Sequence, residues 1–174
     1  MIHEKVGSLK ELVEVIEILD KNENIECILM KEENSCYHEC LNICLNNTTT
    51  EYLTIVKISD VFFPEYSSKH IEYLDSNPNC DIAFSSFTIN NEKEENIFYG
   101  KSEQIFIDDF DNKNLPTNGF VWRKKMHSIV YYFESSINVS LESFFHAFLK
   151  KCLRSHLNIC CVSDEILFMS CSKW

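Results

Sequence analysis

The sequence predicts an α/β domain with a largely parallel central sheet flanked by helices. Helical and strand-like stretches alternate along the first half of the chain, and this alternation favours strands connected by crossover helices. Tyr52–Ile58 is almost continuously apolar, as is typical of a parallel strand buried on both faces. No linker, repeat or low-complexity segment interrupts the 174 residues, so we expect a single domain over residues 1–174.

The first part of the chain contains two predicted helices with a strand between them. Ser8–Leu19 begins with a serine and has Glu11 three residues later, which is the pattern of a capping box. Its apolar residues recur at helical spacing, so they predict an amphipathic helix. Ile25–Met30 is an apolar run of strand length, and Tyr37–Asn46 is the second predicted helix.

After the strand Tyr52–Ile58 the pattern predicts a turn, a helix and another strand. The turn contains a single acid, Asp60. Proline suits the first turn of a helix because the N–H that it lacks has no partner there, so a helix is predicted over Pro64–Ser76. The apolar, strand-forming residues of Asp81–Ile89 predict the next strand.

The second half of the chain mixes short strands with helices. Residues 90–96 are predicted to form a charged, hairpin-like loop, and residues 101–117 are acidic and loop-rich. Helical segments are predicted at Lys124–Ile129 and Leu141–Leu153. Short strands are predicted at Ile97–Tyr99, Phe120–Trp122, Ile159–Val162 and Ile166–Met169.

The composition excludes several classes of protein. The net charge of −11, with 27 acids against 16 bases, repels a phosphate backbone, so we expect no nucleic-acid partner. Three glycines are too few for glycine-rich phosphate loops. No stretch approaches the ~20 apolar residues of a membrane-spanning helix, and the charged start MIHEKVGSLKE does not resemble a signal peptide. The nine cysteines then favour free thiols in a reducing compartment, and we expect a cytoplasmic location.

The densest group of cysteines lies in the stretch SCYHECLNIC. Cys36, Cys40 and Cys44 are spaced by four residues, so they fall on one stripe of the predicted helix. Thiols on one helix rarely reach the tetrahedral geometry that zinc requires. The pattern therefore favours packing of small apolar side chains over a metal site.

Three stretches of the sequence together resemble family 2 glycosyltransferases, which have the GT-A fold. The central segment of that family is similar to EYLTIVKISDVFFPEYSSKHIEYLDSNPNCDIAFSSFTI, with a strand, an acidic loop, a proline-led helix, an Asn-Pro turn and an apolar strand. A later segment, in which an Arg precedes an acidic pair that opens a helix, resembles NGFVWRKKMHSIVYYFESSINVSLESFFHAFLKKC. The second strand, which ends in paired acids, resembles IECILMKEENS. The resemblance implies transfer of a sugar from a nucleotide diphosphate to a hydroxyl of an acceptor.

The metal-binding positions of the family carry different residues in this chain. The D-x-D acids, which hold Mg²⁺ or Mn²⁺ beside the diphosphate, correspond to Lys57 and Ser59, and Asp60 is the following acid. The resemblance implies that all three contact the nucleotide sugar, with Asp60 as the remaining metal ligand. One carboxylate would hold such a hard cation weakly. The ammonium group of Lys57 would instead neutralise part of the departing diphosphate without a metal.

Three further residues take family roles by resemblance. Glu142 aligns with the general base, although Leu141 replaces the acid beside it, and a glutamate can deprotonate a hydroxyl as aspartate does. Glu32 is the acid that remains after the second strand and would contact the nucleotide, and Arg123 would pair with phosphate. The first strand of the family has no clear counterpart in MIHEKVG, so the resemblance implies a domain truncated at its N-terminus and lacking that strand.

Each of these residues also has a structural alternative. Asp60 could form the turn or cap the helix near Pro64, and Lys57 could project into solvent from a site no longer used. Any acid is favoured in the first turn of a helix by the helix dipole, which would explain Glu142. Arg123 could cover the sheet edge beside Trp122. Glu32 could be an ordinary solvated acid.

The sequence leaves three functions open. The first is an active glycosyltransferase with Glu142 as the base. The second is a catalytically degenerate relative that keeps the core as a binding or scaffold protein, which the altered D-x-D positions favour. The third is a subunit whose nucleotide pocket is completed by a protein partner. A fold alone does not decide between them.

Overall fold

The computed structural model describes residues 37–56, 60–91, 94–98, 119–130 and 141–170. The chain forms two compact units, Met1–Thr48 and Thr49–Trp174, and the single domain over residues 1–174 stays a prediction. The helix expected at Ser8–Leu19 and the strand expected at Ile25–Met30 lie outside the described residues. The same holds for the loop-rich stretch 101–117.

The described part of the first unit is helix α1, Tyr37–Asn47, which confirms the helix predicted at Tyr37–Asn46. The Asn47 side-chain amide donates to Ile43 O (2.8 Å), and the Thr48 N–H donates to Cys44 O (2.9 Å). These bonds satisfy carbonyls of the last turn, which have no partner further along the helix. Of the three cysteines predicted to form a stripe, Cys44 has a described side chain, and it is half-buried.

The second unit is built around a six-stranded sheet. Its strands in chain order are β1 (Tyr52–Thr54), β2 (Val61–Phe62), β3 (Ile82–Asn91), β4 (Glu94–Phe98), β5 (Phe120–Arg123) and β6 (Ile159–Ser170). They lie in the order β1-β5-β3-β6-β2, and β4 pairs with the second half of β3. The two strands predicted between Ile159 and Met169 are one continuous strand, and the short strand β2 had no signal in the sequence.

The sheet is mixed, so the expectation of a largely parallel sheet is corrected. Among the described strands one pairing, β3 with β6, is parallel and the other four are antiparallel. β1 and β3 do run in the same direction, but β5 lies between them and pairs antiparallel with both. Alternation along the chain indicates the direction of successive strands. It does not indicate that a later segment inserts between them.

Within the ranges that the structure describes, four helical elements follow β1. They are α2 (Tyr66–Ser76), a 3₁₀ turn at Lys124–Met126, α3 (His127–Val130) and α4 (Leu141–Arg154). α2 begins two residues after Pro64, which with Glu65 forms the turn that leads into it. No helix of the described part of the chain is both long enough and apolar enough to cross a membrane.

α2 covers one face of the sheet because its apolar residues repeat every four positions. Tyr66, His70 and Leu74 are all buried, which is the spacing of one helix face. They pack on side chains that alternate along the strands, among them Ala83 and Phe87 of β3. Full burial of a side chain the size of Leu74 contributes roughly 2 kcal/mol, so this face fixes α2 on the sheet.

The opposite face of the sheet carries a cluster of rings. The Trp122 indole N–H donates to His127 Nε2 (3.1 Å), and the His127 ring stacks on Phe148 of α4 with centroids 5.9 Å apart. Trp122 and Phe148 are also in ring contact, with centroids 6.1 Å apart. α4 therefore lies on this face, and the sheet is enclosed by helices on both sides.

The end of α4 directs the chain into β6. His156 has φ 61°, a left-handed conformation that is more often taken by glycine. The Leu157 N–H donates back to Cys152 O (3.1 Å), which is the hydrogen bond of a Schellman cap. The chain then enters β6 with Ile159 opposite Ile82 of β3.

Candidate functional site

Asp60 lies immediately before β2 and is half-buried. β1 and β2 are the two edge strands of the described sheet, so the chain passes from one edge to the other between Thr54 and Val61. Ligands of open α/β sheets bind beyond the carboxyl ends of the strands, and Asp60 follows the carboxyl end of β1. Lys57 and Ser59, which resemble the D-x-D positions, lie outside the described residues.

The Asp60 carboxylate lies within electrostatic range of the hydroxyl of Tyr66, the first residue of α2. Burial raises the pKa of the Tyr66 hydroxyl well above its usual range, the Thr54 hydroxyl lowers this pKa, and the charge of Asp60 raises it further. Thr54 itself donates to Phe120 O (2.8 Å). The structure thus places Thr54 and Asp60 near Tyr66, and of these three residues the sequence indicated only Asp60 as a site residue.

His70 lies one helical turn beyond Tyr66 and is fully buried. Its Nδ1 is 2.6 Å from Tyr66 O, so Nδ1 carries the proton and donates it to that carbonyl. Burial lowers the pKa of His70 to about 4, against the raising effect of the bond to Tyr66 O. His70 is therefore neutral at pH 7. Within the described residues, His70 Nε2 is buried without a hydrogen-bond partner.

Arg123 is buried at the last position of β5, and its guanidinium contacts groups of the protein. Nε donates to Cys80 O (3.1 Å), Nη2 donates to Leu74 O, and Nη1 donates to the Tyr52 hydroxyl (3.1 Å). The Glu51 carboxylate is 3.5 Å away, but its side chain is 68% exposed. Arg123 therefore links the start of β1 to the end of α2 and the start of β3.

The two predicted site residues whose side chains are described lie at different ends of β1. Arg123 is paired with Tyr52, the first residue of β1, whereas Asp60 follows the last. The contacts of Arg123 favour the structural alternative for this residue, and its assignment to phosphate stays a prediction. Glu142 is the second residue of α4, and the structure describes its backbone but not its side chain. Glu32 lies outside the described residues.

The described residues do not by themselves form a metal site. Mg²⁺ and Mn²⁺ require several oxygen ligands, and Asp60 is one carboxylate. Across the described ranges no group of three or more His, Cys, Asp or Glu residues is arranged to hold a metal ion. The assignment of Asp60 as a metal ligand stays a prediction.

The sequence contains signals for some of the residues near Asp60. Tyr66 and His70 are four residues apart on a predicted helix, so their burial on one face was predictable. Thr54 lies inside the predicted strand, and the pattern of apolar residues along that strand does not predict that Thr54 lies near Asp60. Their association with Asp60 depends on how α2 packs on the sheet.

Comparison with known proteins identifies structures with a similar fold. No protein-family model and no curated protein sequence matches this chain. A crystal structure of S. aureus TarS 1–349 has a TM-score of 0.68 and 14% sequence identity, over 94% of this chain and 48% of that one. A crystal structure of S. aureus TarS has a TM-score of 0.69 and 13% sequence identity, over 93% of this chain and 29% of that one. The structure of TarS 1–349 in complex with UDP has a TM-score of 0.67 and 14% sequence identity, over 95% of this chain and 48% of that one.

The likeness confirms the predicted GT-A-like α/β fold. It covers almost the whole of this chain. This chain spans about half or less of the length of the TarS chains that it matches. At 13–14% identity the comparison shows the fold and not the activity.

Proposed function

We propose that this protein is a glycosyltransferase-like domain, similar to family 2, that binds a nucleotide-diphosphate sugar near Asp60. The observation that carries the proposal is the likeness of the fold, over 95% of this chain, to a structure in complex with UDP. The position of Asp60 adds to it, because this residue follows the carboxyl end of a strand, where such folds bind ligands. We further infer a cytoplasmic location from the nine cysteines.

The proposed reaction transfers a sugar to a hydroxyl group. The Glu142 carboxylate would accept the proton of the acceptor hydroxyl. The acceptor oxygen then forms a bond to the anomeric carbon while the bond from that carbon to the diphosphate breaks. Lys57 and Asp60 would lie beside the leaving diphosphate, with Lys57 compensating its charge. Glu32 would contact the nucleotide.

A second function is favoured by the residues at the D-x-D positions. Lys57 and Ser59 cannot provide the two carboxylates that hold a metal ion in the family that this sequence resembles. The domain would then bind a nucleotide sugar or a protein without transferring the sugar. In a variant of this second function, a partner chain completes the nucleotide pocket.

Thermal melting tests whether the protein binds nucleotides. The protein would be melted with UDP and with a panel of nucleotide sugars at millimolar concentration, with and without Mn²⁺. A ligand at 100 times its Kd stabilises the folded state by about 2.7 kcal/mol, which is a clear shift in Tm. No shift with any nucleotide would contradict the proposed ligand. Release of the free sugar or formation of a product then distinguishes an active enzyme from a binding protein.

The Asp60→Asn variant tests the position of the site. We expect its affinity for the shifting nucleotide sugar to fall roughly tenfold, about 1.4 kcal/mol, because the amide keeps the shape of the side chain but removes its charge. Titration calorimetry measures the change. Glu72→Gln is the matched control, since Glu72 is an exposed acid on α2. An Asp60→Asn variant with lower Tm and unchanged affinity would show that Asp60 only supports the turn.

The Lys57→Ala variant tests a metal-free mode of binding. If the ammonium group replaces the metal, nucleotide binding persists in EDTA and the Lys57→Ala variant loses it. The control is Lys125→Ala, which removes an exposed lysine elsewhere in the chain. Nucleotide binding that occurs only with Mn²⁺ present would overturn the metal-free mode and would favour Asp60 as a metal ligand.

A further inference from the structure

The positive charges of this acidic chain are concentrated in its second part. Residues 112–174 contain 8 bases and 4 acids, whereas residues 1–111 contain 8 bases and 23 acids. Two stretches of the second part, residues 112–133 and 143–163, contain bases but no acid. A local excess of positive charge in a chain of negative net charge indicates a surface for an anionic partner.

The outer side of α4 is cationic. Three buried residues, Phe148, Leu149 and Cys152, define the inner side of this helix. The opposite side has the i, i+3, i+4, i+7 spacing of one helix face. It consists of Ala147, Lys150, Lys151 and Arg154, of which the first and last are exposed and the two lysines are half-buried. A half-buried lysine covers its neighbours with its methylene groups and keeps its ammonium group at the surface.

The 3₁₀ turn and α3 add a cation and an apolar side chain beside α4. Met126 and Val130 are buried and hold this segment on the protein, whereas Lys125 is exposed and Ile129 is 51% exposed. The ring of His127, at the start of α3, stacks on a ring of α4, so the segment lies next to the middle of that helix. We call Lys125, Ile129 and the outer side of α4 the basic surface.

Two acids lie next to the segments that carry the basic surface, and both have partners within the protein. The Glu51 carboxylate is 3.5 Å from the guanidinium of Arg123, and its main-chain carbonyl accepts from the Lys124 N–H (2.7 Å). The Asp81 carboxylate accepts from the Asn158 N–H (3.0 Å). Since the basic surface carries four cations of its own, these two acids reduce its positive charge without reversing it.

We propose that the basic surface binds the headgroups of an anionic phospholipid membrane, with Ile129 inserted between them. This inference is independent of the proposed sugar-nucleotide site. Lysines on a helix beside an exposed aliphatic side chain are the pattern of proteins that lie on a membrane surface. Each Lys or Arg close to an anionic membrane increases the affinity about fivefold.

The net charge of −11 does not prevent this contact. At physiological ionic strength, charges separated by more than about 8 Å are largely screened, so the residues that touch the membrane decide the binding. A nucleic acid fits the basic surface less well, because base edges are read by arginine and amide side chains and single strands stack on aromatic rings. The basic surface offers lysines and an aliphatic side chain instead.

Flotation with lipid vesicles tests the proposal. The protein would be mixed with vesicles of phosphatidylcholine alone, or with about 30% phosphatidylglycerol added as the anionic lipid. We expect binding to the anionic vesicles and not to the neutral ones, with dissociation as salt rises from roughly 0.05 to 0.5 M. Cations in the last turn of a helix also complement the helix dipole, and such a local role predicts no vesicle binding. Absence of binding to anionic vesicles at low salt, or equal binding to neutral ones, would overturn the proposal.

Lysine variants on the two sides of the sheet locate the surface. We expect Lys151→Gln to weaken binding to anionic vesicles about fivefold, and Lys150→Gln together with Lys151→Gln about 30-fold. Lys69→Gln is the matched control, because Lys69 is a half-buried lysine on α2, which packs on the opposite face of the sheet. Circular dichroism checks that each variant is folded. An equal loss of binding in Lys151→Gln and Lys69→Gln would contradict the assigned surface.

The Ile129→Asn variant distinguishes a membrane from a soluble polyanion. We expect it to weaken binding to anionic vesicles several-fold, because asparagine cannot enter the apolar part of the interface. Unchanged vesicle binding would contradict the insertion of Ile129. A DNA duplex serves as the soluble polyanion. If the wild type bound the duplex as tightly as the vesicles, and Ile129→Asn changed neither, the partner would be a nucleic acid and the proposal would be wrong.

Discussion

The Arg123→Ala variant is expected to lose roughly 2–5 kcal/mol of unfolding free energy, the largest effect that we expect from a single substitution. The guanidinium donates to two buried carbonyls, Leu74 O and Cys80 O. An acceptor left buried without its donor costs about 1–3 kcal/mol, and alanine would leave both in that state. Urea unfolding monitored by circular dichroism measures the loss.

Two further variants separate the roles of charge and shape at this position. Arg123→Lys keeps the charge but not the planar fork, so we expect it to recover part of the loss. Glu51→Gln removes the exposed partner at 3.5 Å and should cost less than about 1 kcal/mol, as for other surface ion pairs. If Arg123→Ala instead kept full stability and lost nucleotide binding, the structural role would be wrong and the phosphate role supported.

His70 is expected to make the protein less stable as the pH falls from 6.5 towards 4. Burial lowers the pKa of His70 from 6.5 to about 4 in the folded state. Between these values the unfolded chain binds a proton that the folded chain does not, so the unfolded state is favoured. The contribution of His70 is fully present above pH 6.5. Up to roughly 3 kcal/mol of it is lost by pH 4, at about 1.4 kcal/mol for each pKa unit.

The His70→Phe variant isolates this contribution from that of other titrating groups. Phenylalanine keeps an aromatic ring, somewhat larger than imidazole, and cannot bind a proton, so stability measured by urea unfolding between pH 7 and 4 should fall less steeply than in the wild type. His156→Asn is the control, because His156 is exposed and asparagine tolerates its left-handed backbone. Equal slopes for wild type and His70→Phe would contradict a buried neutral histidine, as would an NMR titration of His70 near pH 6.5.

Parts of the candidate site could be predicted because their signals are local. Asp60 follows an apolar strand and precedes a proline, and those neighbours alone indicate a turn at a strand end. The burial of Tyr66 and His70 follows from a spacing of four on one helix face. By contrast, the role of Glu142 rests on a resemblance, since any acid is favoured at the start of a helix.

Contacts between distant residues had no such signal. Arg123 meets Cys80, Leu74 and Tyr52 across separations of 43, 49 and 71 residues. The sequence pattern around Arg123 did not predict that it is buried.

The sequence was sufficient for the type and order of most elements and for the α/β class, since periodicity, capping and turn residues act over a few neighbouring positions. The arrangement of those elements in space required the fold. β5 inserts between β1 and β3, which makes the sheet mixed, and the same packing brings Thr54 and Tyr66 to Asp60 and buries the Arg123 guanidinium. These features depend on the burial of side chains from segments far apart in the chain, and no pattern within a single segment encodes which distant segment will cover it.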